Sequence, residues 1–164
     1  MAKTLMLYYT FEGNTGFVAE HMKANLDLTL EQLIAENEPP KKGLGKFLRG
    51  GASALFRIDP ALFPLYNDPN AFDTVILAFP VWAGTYPPAV AAMIQKYPFA
   101  GKNLYIIACS AGGRAEKAID AAAEALSGNT LCGSLSLVSP LKNRADAIVK
   151  LAAFARLIQA EDNA

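Results

Sequence analysis

Three short segments of this chain carry residues that could bind an anionic, aromatic ligand. They are TFEGNTG at 10–16, PVWAGTYPP at 80–88 and SAGGRAE at 110–116, and each follows an apolar run. In the first segment a glycine lets backbone N–H groups turn toward one centre, and a predicted helix adds unpaired N–H groups and a positive dipole. This combination favours a phosphate site. Thr10 or Asn14 could equally serve only as a helix cap.

The first segment lacks the features of the known phosphate-transfer loops. The chain contains neither GxxxxGK[ST] nor GxGxxG, the nucleoside-triphosphatase and dinucleotide-binding motifs. The segment has no cysteine nucleophile, and the apolar run that ends at Phe79 and Pro80 is not followed by an aspartate that could be phosphorylated. We therefore expect a phosphate to be held here rather than transferred.

The other two segments suit a flat ring. Trp82 is the chain's only tryptophan and lies among prolines that stiffen the loop. An exposed indole here would stack on an aromatic ligand, which adds roughly 0.5–1.5 kcal/mol beyond burial. From this loop alone, a core or interface tryptophan is the favoured interpretation. Ser110, Gly112 and Gly113 would let the backbone approach a ring closely and present N–H groups to it. A helix-start turn without a ligand is the alternative there.

Apolar runs and helical periodicity alternate along the chain. The runs predict strands at 3–9, 28–35, 73–79, 103–109 and 130–138, and the 3.6-residue spacing predicts helices at 14–26, 44–56, 87–97, 116–126 and 145–158. This order predicts an α/β fold with a doubly wound, five-stranded parallel sheet. Such sheets bind ligands at the carboxyl ends of their strands, where the three segments fall.

Composition limits the classes of partner. Fifteen basic and fifteen acidic residues give zero formal net charge, which argues against nucleic-acid and anionic-membrane partners. No signal peptide or membrane-spanning run is evident, so we expect one cytoplasmic domain over residues 1–164. Cys109 and Cys132 lie in apolar stretches without metal-ligand spacing, which predicts buried free thiols and no metal site. His21, the only histidine, falls on the first predicted helix, and no catalytic constellation is apparent.

The motifs resemble those of the flavodoxin family over residues 3–158. YYTFEGNTGFVAE at 8–20 is similar to the family's phosphate-loop pattern Y-S/T-x-x-G-N-T-x-x-V-A, and PVWAGTYPP resembles the loop whose aromatic side chain stacks on the flavin. GKFLRGGASALF at 45–56 and CSAGGRAEKAI at 109–119 also resemble segments of small flavodoxin-like proteins. The resemblance implies a three-layer flavodoxin-like fold with strand order 2-1-3-4-5 and non-covalently bound FMN.

The resemblance also implies a role for each loop. The phosphate would be wrapped by Thr10, Phe11, Glu12, Gly13, Asn14 and Thr15. One side of the isoalloxazine ring would be lined by Pro80, Val81, Trp82, Ala83, Gly84 and Thr85. The pyrimidine edge would be met by Ser110, Ala111, Gly112 and Gly113. The peptide between Ala83 and Gly84 would bind flavin N5.

Glu12 departs from the family pattern, which often has Thr or Ser at this position. A carboxylate about 6 Å from a phosphate, at an effective dielectric constant near 20, costs roughly 3 kcal/mol. We therefore expect the Glu12 carboxylate to point toward solvent. Basic residues of the predicted crossover helix and its flanks could offset the negative charge. They are Lys41, Lys42, Lys46, Arg49 and Arg57.

The resemblance favours an FMN-binding electron-transfer protein that works with a redox protein or a small electron acceptor, as a monomer or homodimer. Electron-carrying flavodoxins are usually strongly acidic, whereas this chain has no net charge. One alternative is therefore an NAD(P)H-dependent FMN-containing quinone or flavin reductase, and another is a non-redox binding domain that has lost the flavin. Ring stacking on Trp82 and a nearby phosphate would both lower the potential for the second electron.

Overall fold

The structure, a computed structural model, describes residues 2–38 and 61–162. Five parallel strands form one sheet in the order β2-β1-β3-β4-β5, which confirms the predicted strand order. The strands are β1 Thr4–Tyr8, β2 Thr29–Gln32, β3 Thr74–Pro80, β4 Asn103–Ser110 and β5 Thr130–Val138. The loops that follow the strands therefore lie together at the carboxyl ends of the strands, which we call the carboxyl edge of the sheet.

Four α-helices cover the sheet within the described residues. They are α1 Asn14–Asn25, α2 Pro88–Lys96, α3 Glu116–Ala125 and α4 Arg144–Asp162. All four match helices predicted from periodicity, with α4 continuing past its predicted end at Ile158. The predicted crossover helix at 44–56 lies outside the described residues.

The second strand is shorter than the prediction of 28–35. Parallel pairing with β1 ends at Gln32, although the N–H of Leu33 still donates to the Tyr8 carbonyl oxygen at 2.8 Å. Ala35 then forms an isolated antiparallel bridge with Leu62. The apolar run continues because these residues pair with a later segment of the chain, so residue type alone did not mark the end of the strand.

Successive strand residues face opposite sides of the sheet and divide the core into two layers. Leu5 and Leu77 belong to the layer under α2 and α3, whereas Met6 and Ile76 belong to the layer under α1 and α4. These strands are buried on both faces, which explains their nearly continuous apolar sequence. Among the described residues no helix is long and apolar enough to cross a membrane.

The end of α4 is fastened to the sheet edge opposite the loops. The Tyr105 hydroxyl donates to Glu161 Oε2 at 2.5 Å, and the Thr74 hydroxyl donates to Asp162 Oδ1 at 2.9 Å. Thr4 donates to the other Asp162 oxygen at 3.4 Å. These bonds hold the amino ends of the strands and leave the carboxyl edge open for a ligand site.

Candidate functional site

Four loops surround a cavity of about 350 Å³ at the carboxyl edge of the sheet. They follow β1, β3, β4 and β5. The predicted residues that line the cavity are Phe11, Glu12, Asn14, Thr15, Pro80, Val81, Trp82, Ser110 and Ala111. The sheet topology therefore brings the three predicted segments together.

The loop after β1 leads into α1 through a left-handed glycine. Gly13 has φ +94°, a conformation that costs glycine little, and α1 begins at the next residue. The Thr10 hydroxyl accepts from the Gly16 N–H at 3.0 Å, so this hydroxyl caps the helix and does not line the cavity. The N–H groups of Asn14 and Thr15 make no hydrogen bond to any described residue. They remain available to an anion.

The Thr15 hydroxyl is the least satisfied polar group of the cavity. Thr15 is 1% exposed, and its Oγ1 has no hydrogen-bond partner of normal geometry. An unmatched buried hydroxyl costs about 1–3 kcal/mol. Its neighbour is the Cys109 thiol: burial raises the pKa of Cys109 to about 12, and the Thr15 hydroxyl lowers it by a smaller amount. A neutral thiol is a weak partner, so the site suits a ligand oxygen that would accept from Thr15.

Asn14 connects two loops. Its side-chain oxygen accepts from the Leu141 N–H at 3.1 Å, across 127 positions of sequence. Leu141 Cδ1 also lies 3.4 Å from the position that a Cβ on Gly13 would occupy. The loop after β5 is therefore packed directly on the loop after β1.

Glu12 is exposed to solvent, and the outward direction of its carboxylate stays a prediction. Glu12 still lines the cavity with part of its surface. The basic residues proposed to offset it at 41–57 lie outside the described residues.

Of the two interpretations of Trp82, the exposed indole is wrong and the core tryptophan agrees with the structure. The side chain is only 5% exposed and belongs to the core layer under α2 and α3. Tyr9 and Phe11 pack edge-to-face against it, with ring centroids at 5.8 and 5.4 Å. Both rings belong to the segment that follows β1, and they cover the indole. Part of Trp82 therefore lines the cavity while the rest packs in the core.

A tight turn follows Trp82. The N–H of Trp82 donates to the Thr85 carbonyl at 2.9 Å, and the N–H of Thr85 donates back at 3.0 Å. Ala83 and Gly84 between them have φ of +49° and +79°, the signs found in a type I′ turn. Positive φ costs Ala83 on the order of 1 kcal/mol, whereas Gly84 adopts it freely. The turn therefore stores a small strain beside the cavity.

The loop after β4 forms a second cavity of about 490 Å³ next to the first. The Ser110 hydroxyl accepts from the Gly113 N–H at 3.0 Å and closes this loop. The two cavities share Val81, Ser110 and Ala111, and the second is also lined by Ala83, Gly84, Gly112, Arg114 and Lys117. Two cations and no carboxylate line this second cavity, so it favours an anionic group.

The residues that line the two cavities differ in part from the predicted set. Four predicted residues line neither cavity: Thr10, Gly13, Thr85 and Gly113. The missed lining residues are Cys109, Arg114, Lys117, Ser139, Leu141 and Lys142. The loop after β5 could have been found by extending the carboxyl-end rule to the fifth strand.

The two cysteines differ in burial. Both cysteines are free thiols, but Cys132 is only partly buried, so the expectation of two buried thiols is wrong for it. It lies on β5, an edge strand of the sheet.

His21 is partly buried on α1, with Nδ1 2.9 Å from the Phe17 carbonyl oxygen, and lines neither cavity. In the described part of the chain no group of His, Cys, Asp or Glu could hold a metal ion.

The fold is similar to those of solved flavoproteins. A flavoprotein from Lactobacillus acidophilus NCFM, solved in complex with FMN, is 21% identical with a TM-score of 0.69 over 87% of this chain and 98% of that chain. Oxidised flavodoxin 2 from Bacillus cereus is 20% identical with a TM-score of 0.62 over 98% of this chain and 99% of that one. An NADPH-quinone reductase from P. pentosaceus is 15% identical with a TM-score of 0.50 over 94% and 98%. No family model and no curated protein matches the chain. The chain thus has the flavodoxin-like fold.

Proposed function

We propose that this chain binds FMN non-covalently and acts in electron transfer. The observation that supports this most directly is the buried Thr15 hydroxyl, which has no hydrogen-bond partner of normal geometry and belongs to the lining of the first cavity, beside the unpaired N–H groups of Asn14 and Thr15. A phosphate offers the acceptor oxygens that these donors lack, and the positive end of the α1 dipole favours its charge. When bound, FMN supplies the redox chemistry.

The two adjoining cavities would accommodate the rest of the ligand. Val81, Trp82 and Ala111 give the first cavity largely apolar walls, as expected where a flat ring is bound. The peptide between Ala83 and Gly84 stands at the second cavity and is the proposed partner of a ring nitrogen. In the L. acidophilus flavoprotein the bound molecule is FMN, which agrees with this assignment.

The charge around the second cavity favours one further candidate, an NAD(P)H-dependent quinone or flavin reductase. Arg114 and Lys117 line that cavity, and the Lys117 stem comes within 4.0 Å of the position of a Cβ on Gly84. These cations would attract the phosphates of a nicotinamide dinucleotide or an anionic electron acceptor. An electron carrier with a basic redox partner would instead place carboxylates here.

Reconstitution tests the cofactor assignment. The purified protein, freed of any bound flavin, is titrated with FMN and with riboflavin while flavin fluorescence and visible absorption are recorded. We expect saturable binding of FMN, weaker binding of riboflavin, and a flavin spectrum that stays with the protein on gel filtration. A protein that takes up neither flavin would overturn the proposal and favour a non-redox binding domain.

Turnover separates the two redox candidates. NADH and NADPH consumption by the FMN-loaded protein is followed with and without a quinone acceptor. The carrier is supported if the nicotinamides stay unoxidised until a separate reductase is added. The reductase is supported if the protein alone consumes a nicotinamide and the double variant Arg114→Gln, Lys117→Gln raises the KM for NADPH.

A further inference from the structure

The loop 139–143, which follows β5, brings a cation to the first cavity. Lys142 lines this cavity together with Glu12, and these are the two charged residues in its lining. The two positions are distant in sequence and lie in loops that follow different strands. No ion pair joins them within the described part of the chain, so neither charge is already neutralised by the other.

Backbone hydrogen bonds hold this loop in place from both ends. The Ser139 N–H donates to the Ser110 carbonyl at 2.8 Å, and the Ser139 carbonyl accepts from Lys142 at 2.8 Å and from Asn143 at 3.0 Å. Ser139 has φ +42°, an unfavourable conformation for serine that these bonds must maintain. Because Leu141 is also bonded to Asn14, the Lys142 backbone has a defined position beside the start of α1.

The next cation along the chain, Arg144, already contacts other residues. Arg144 Nε donates to the Leu141 carbonyl at 3.3 Å, and its guanidinium lies 5.6 Å from the centre of the Phe17 ring. Arg144 lines neither cavity. Its role is to connect α4 with α1, which leaves Lys142 as the cation for a ligand in the first cavity.

We propose that Lys142 is a phosphate-binding residue of this site and offsets the charge of Glu12. The inference rests on the proposed function, since it assigns the phosphate of FMN to the Thr15 end of the cavity. A phosphate held only by neutral donors next to a carboxylate would be repelled by it. The ammonium of Lys142, a residue of the cavity lining, would provide the opposite charge. Because Lys142 is exposed, its contribution should be screened by salt.

The test compares FMN with riboflavin, which has no phosphate. Dissociation constants for both flavins are measured at low and high salt for the wild type, Lys142→Met and Lys142→Arg. Lys150→Met is the matched control, because Lys150 lies on the adjacent helix, is paired with Asp146 and lines neither cavity. We expect Lys142→Met to weaken FMN binding by roughly tenfold at low salt, with riboflavin affinity unchanged. Lys142→Arg and the control should resemble the wild type.

Glu12→Gln provides the opposite change. It should strengthen FMN binding at low salt, and the gain should be larger in Lys142→Met than in the wild type because the opposing cation is then absent. An unchanged ratio of FMN to riboflavin affinity in Lys142→Met would overturn the inference. If both affinities fell equally, the loss would indicate a structural role for Lys142.

Inorganic phosphate gives a readout that does not depend on the flavin. The Thr15 and Asn14 amide signals of the wild type and Lys142→Met are followed by NMR during a phosphate titration. If the wild type binds no FMN but phosphate shifts these amides only while Lys142 is present, the proposed cofactor fails and the phosphate site stands. If neither FMN nor phosphate binds, both proposals are overturned.

Discussion

At the scale of the residue, Thr15 carries a cost in the free protein that a ligand would remove. Its hydroxyl is buried without a hydrogen-bond partner of normal geometry, although the same side-chain shape could be supplied by valine. A hydroxyl kept in such a position contributes nothing to folding and is expected where a ligand supplies the missing acceptor. The neighbouring Thr10 differs, since its hydroxyl oxygen is used by the Gly16 N–H.

We predict that Thr15→Val raises the free energy of unfolding of the flavin-free protein by about 1 kcal/mol while weakening FMN binding. Chemical denaturation measures the first effect and FMN titration the second. Thr15→Ser keeps the hydroxyl and is the control, with FMN affinity close to the wild type. The functional assignment of Thr15 would be contradicted if valine left FMN affinity unchanged.

At the scale of the element, the site depends on how the loop after β5 is fastened to the start of α1. Asn14 Oδ1 accepts from Leu141, Ser139 bonds to Ser110, and Arg144 reaches back to Phe17. The loop and both helix ends therefore form one connected unit at the carboxyl edge. Movement of this unit would displace several cavity residues at once.

We predict that Asn14→Ala speeds hydrogen exchange of the Leu141 amide by roughly fivefold, because a bond worth about 1 kcal/mol no longer protects it. Exchange is measured by NMR under native conditions. Asn25→Ala is the control, since Asn25 lies at the other end of α1 and its amide group bonds to His21. Unchanged protection at Leu141 would show that the loop is held by its other bonds alone.

At the scale of the whole molecule, the hydrogen bonds from the end of α4 and the two cavities lie at opposite ends of the strands. The end of α4 is bonded to the amino ends of β1, β3 and β4, whereas the cavities lie at the carboxyl ends. Burial, then the hydrogen bond to Glu161, raises the pKa of Tyr105 above its ordinary value. The phenol is therefore kept neutral in the folded protein.

We predict that Tyr105→Phe lowers the free energy of unfolding by about 1 kcal/mol near neutral pH, since it removes the bond to Glu161, and leaves FMN affinity unchanged. The folded-state pKa of Tyr105 lies above the unfolded value of about 10, so the unfolded chain loses the phenol proton first as pH rises. The stabilisation is complete below about pH 10 and is lost progressively as the pH rises from there toward the higher pKa of the folded state.

Denaturation of the wild type and Tyr105→Phe across this pH range measures the effect. The wild type should lose stability more steeply above about pH 10 than the variant. Equal slopes, or a loss of FMN affinity in Tyr105→Phe, would show that the two edges are not independent.

The sequence by itself determined the alternation of strands and helices, because apolar periodicity is a local property that survives without knowledge of contacts. It also determined the three loops after β1, β3 and β4, since parallel strands place their carboxyl ends at one edge. It could not mark the end of β2, where Ala35 leaves the parallel ladder to pair with Leu62. That pairing depends on a distant segment.

Only the tertiary structure decided which side chains reach the cavity and how. Trp82 is buried because Tyr9 and Phe11 cover it, and Lys142 lines the same cavity as Glu12 because Asn14 binds Leu141. The cations expected from the sequence to offset Glu12 were those at 41–57, because they cluster along the chain. A contact across 127 positions depends on strand order and on how the loops pack, which no local pattern encodes.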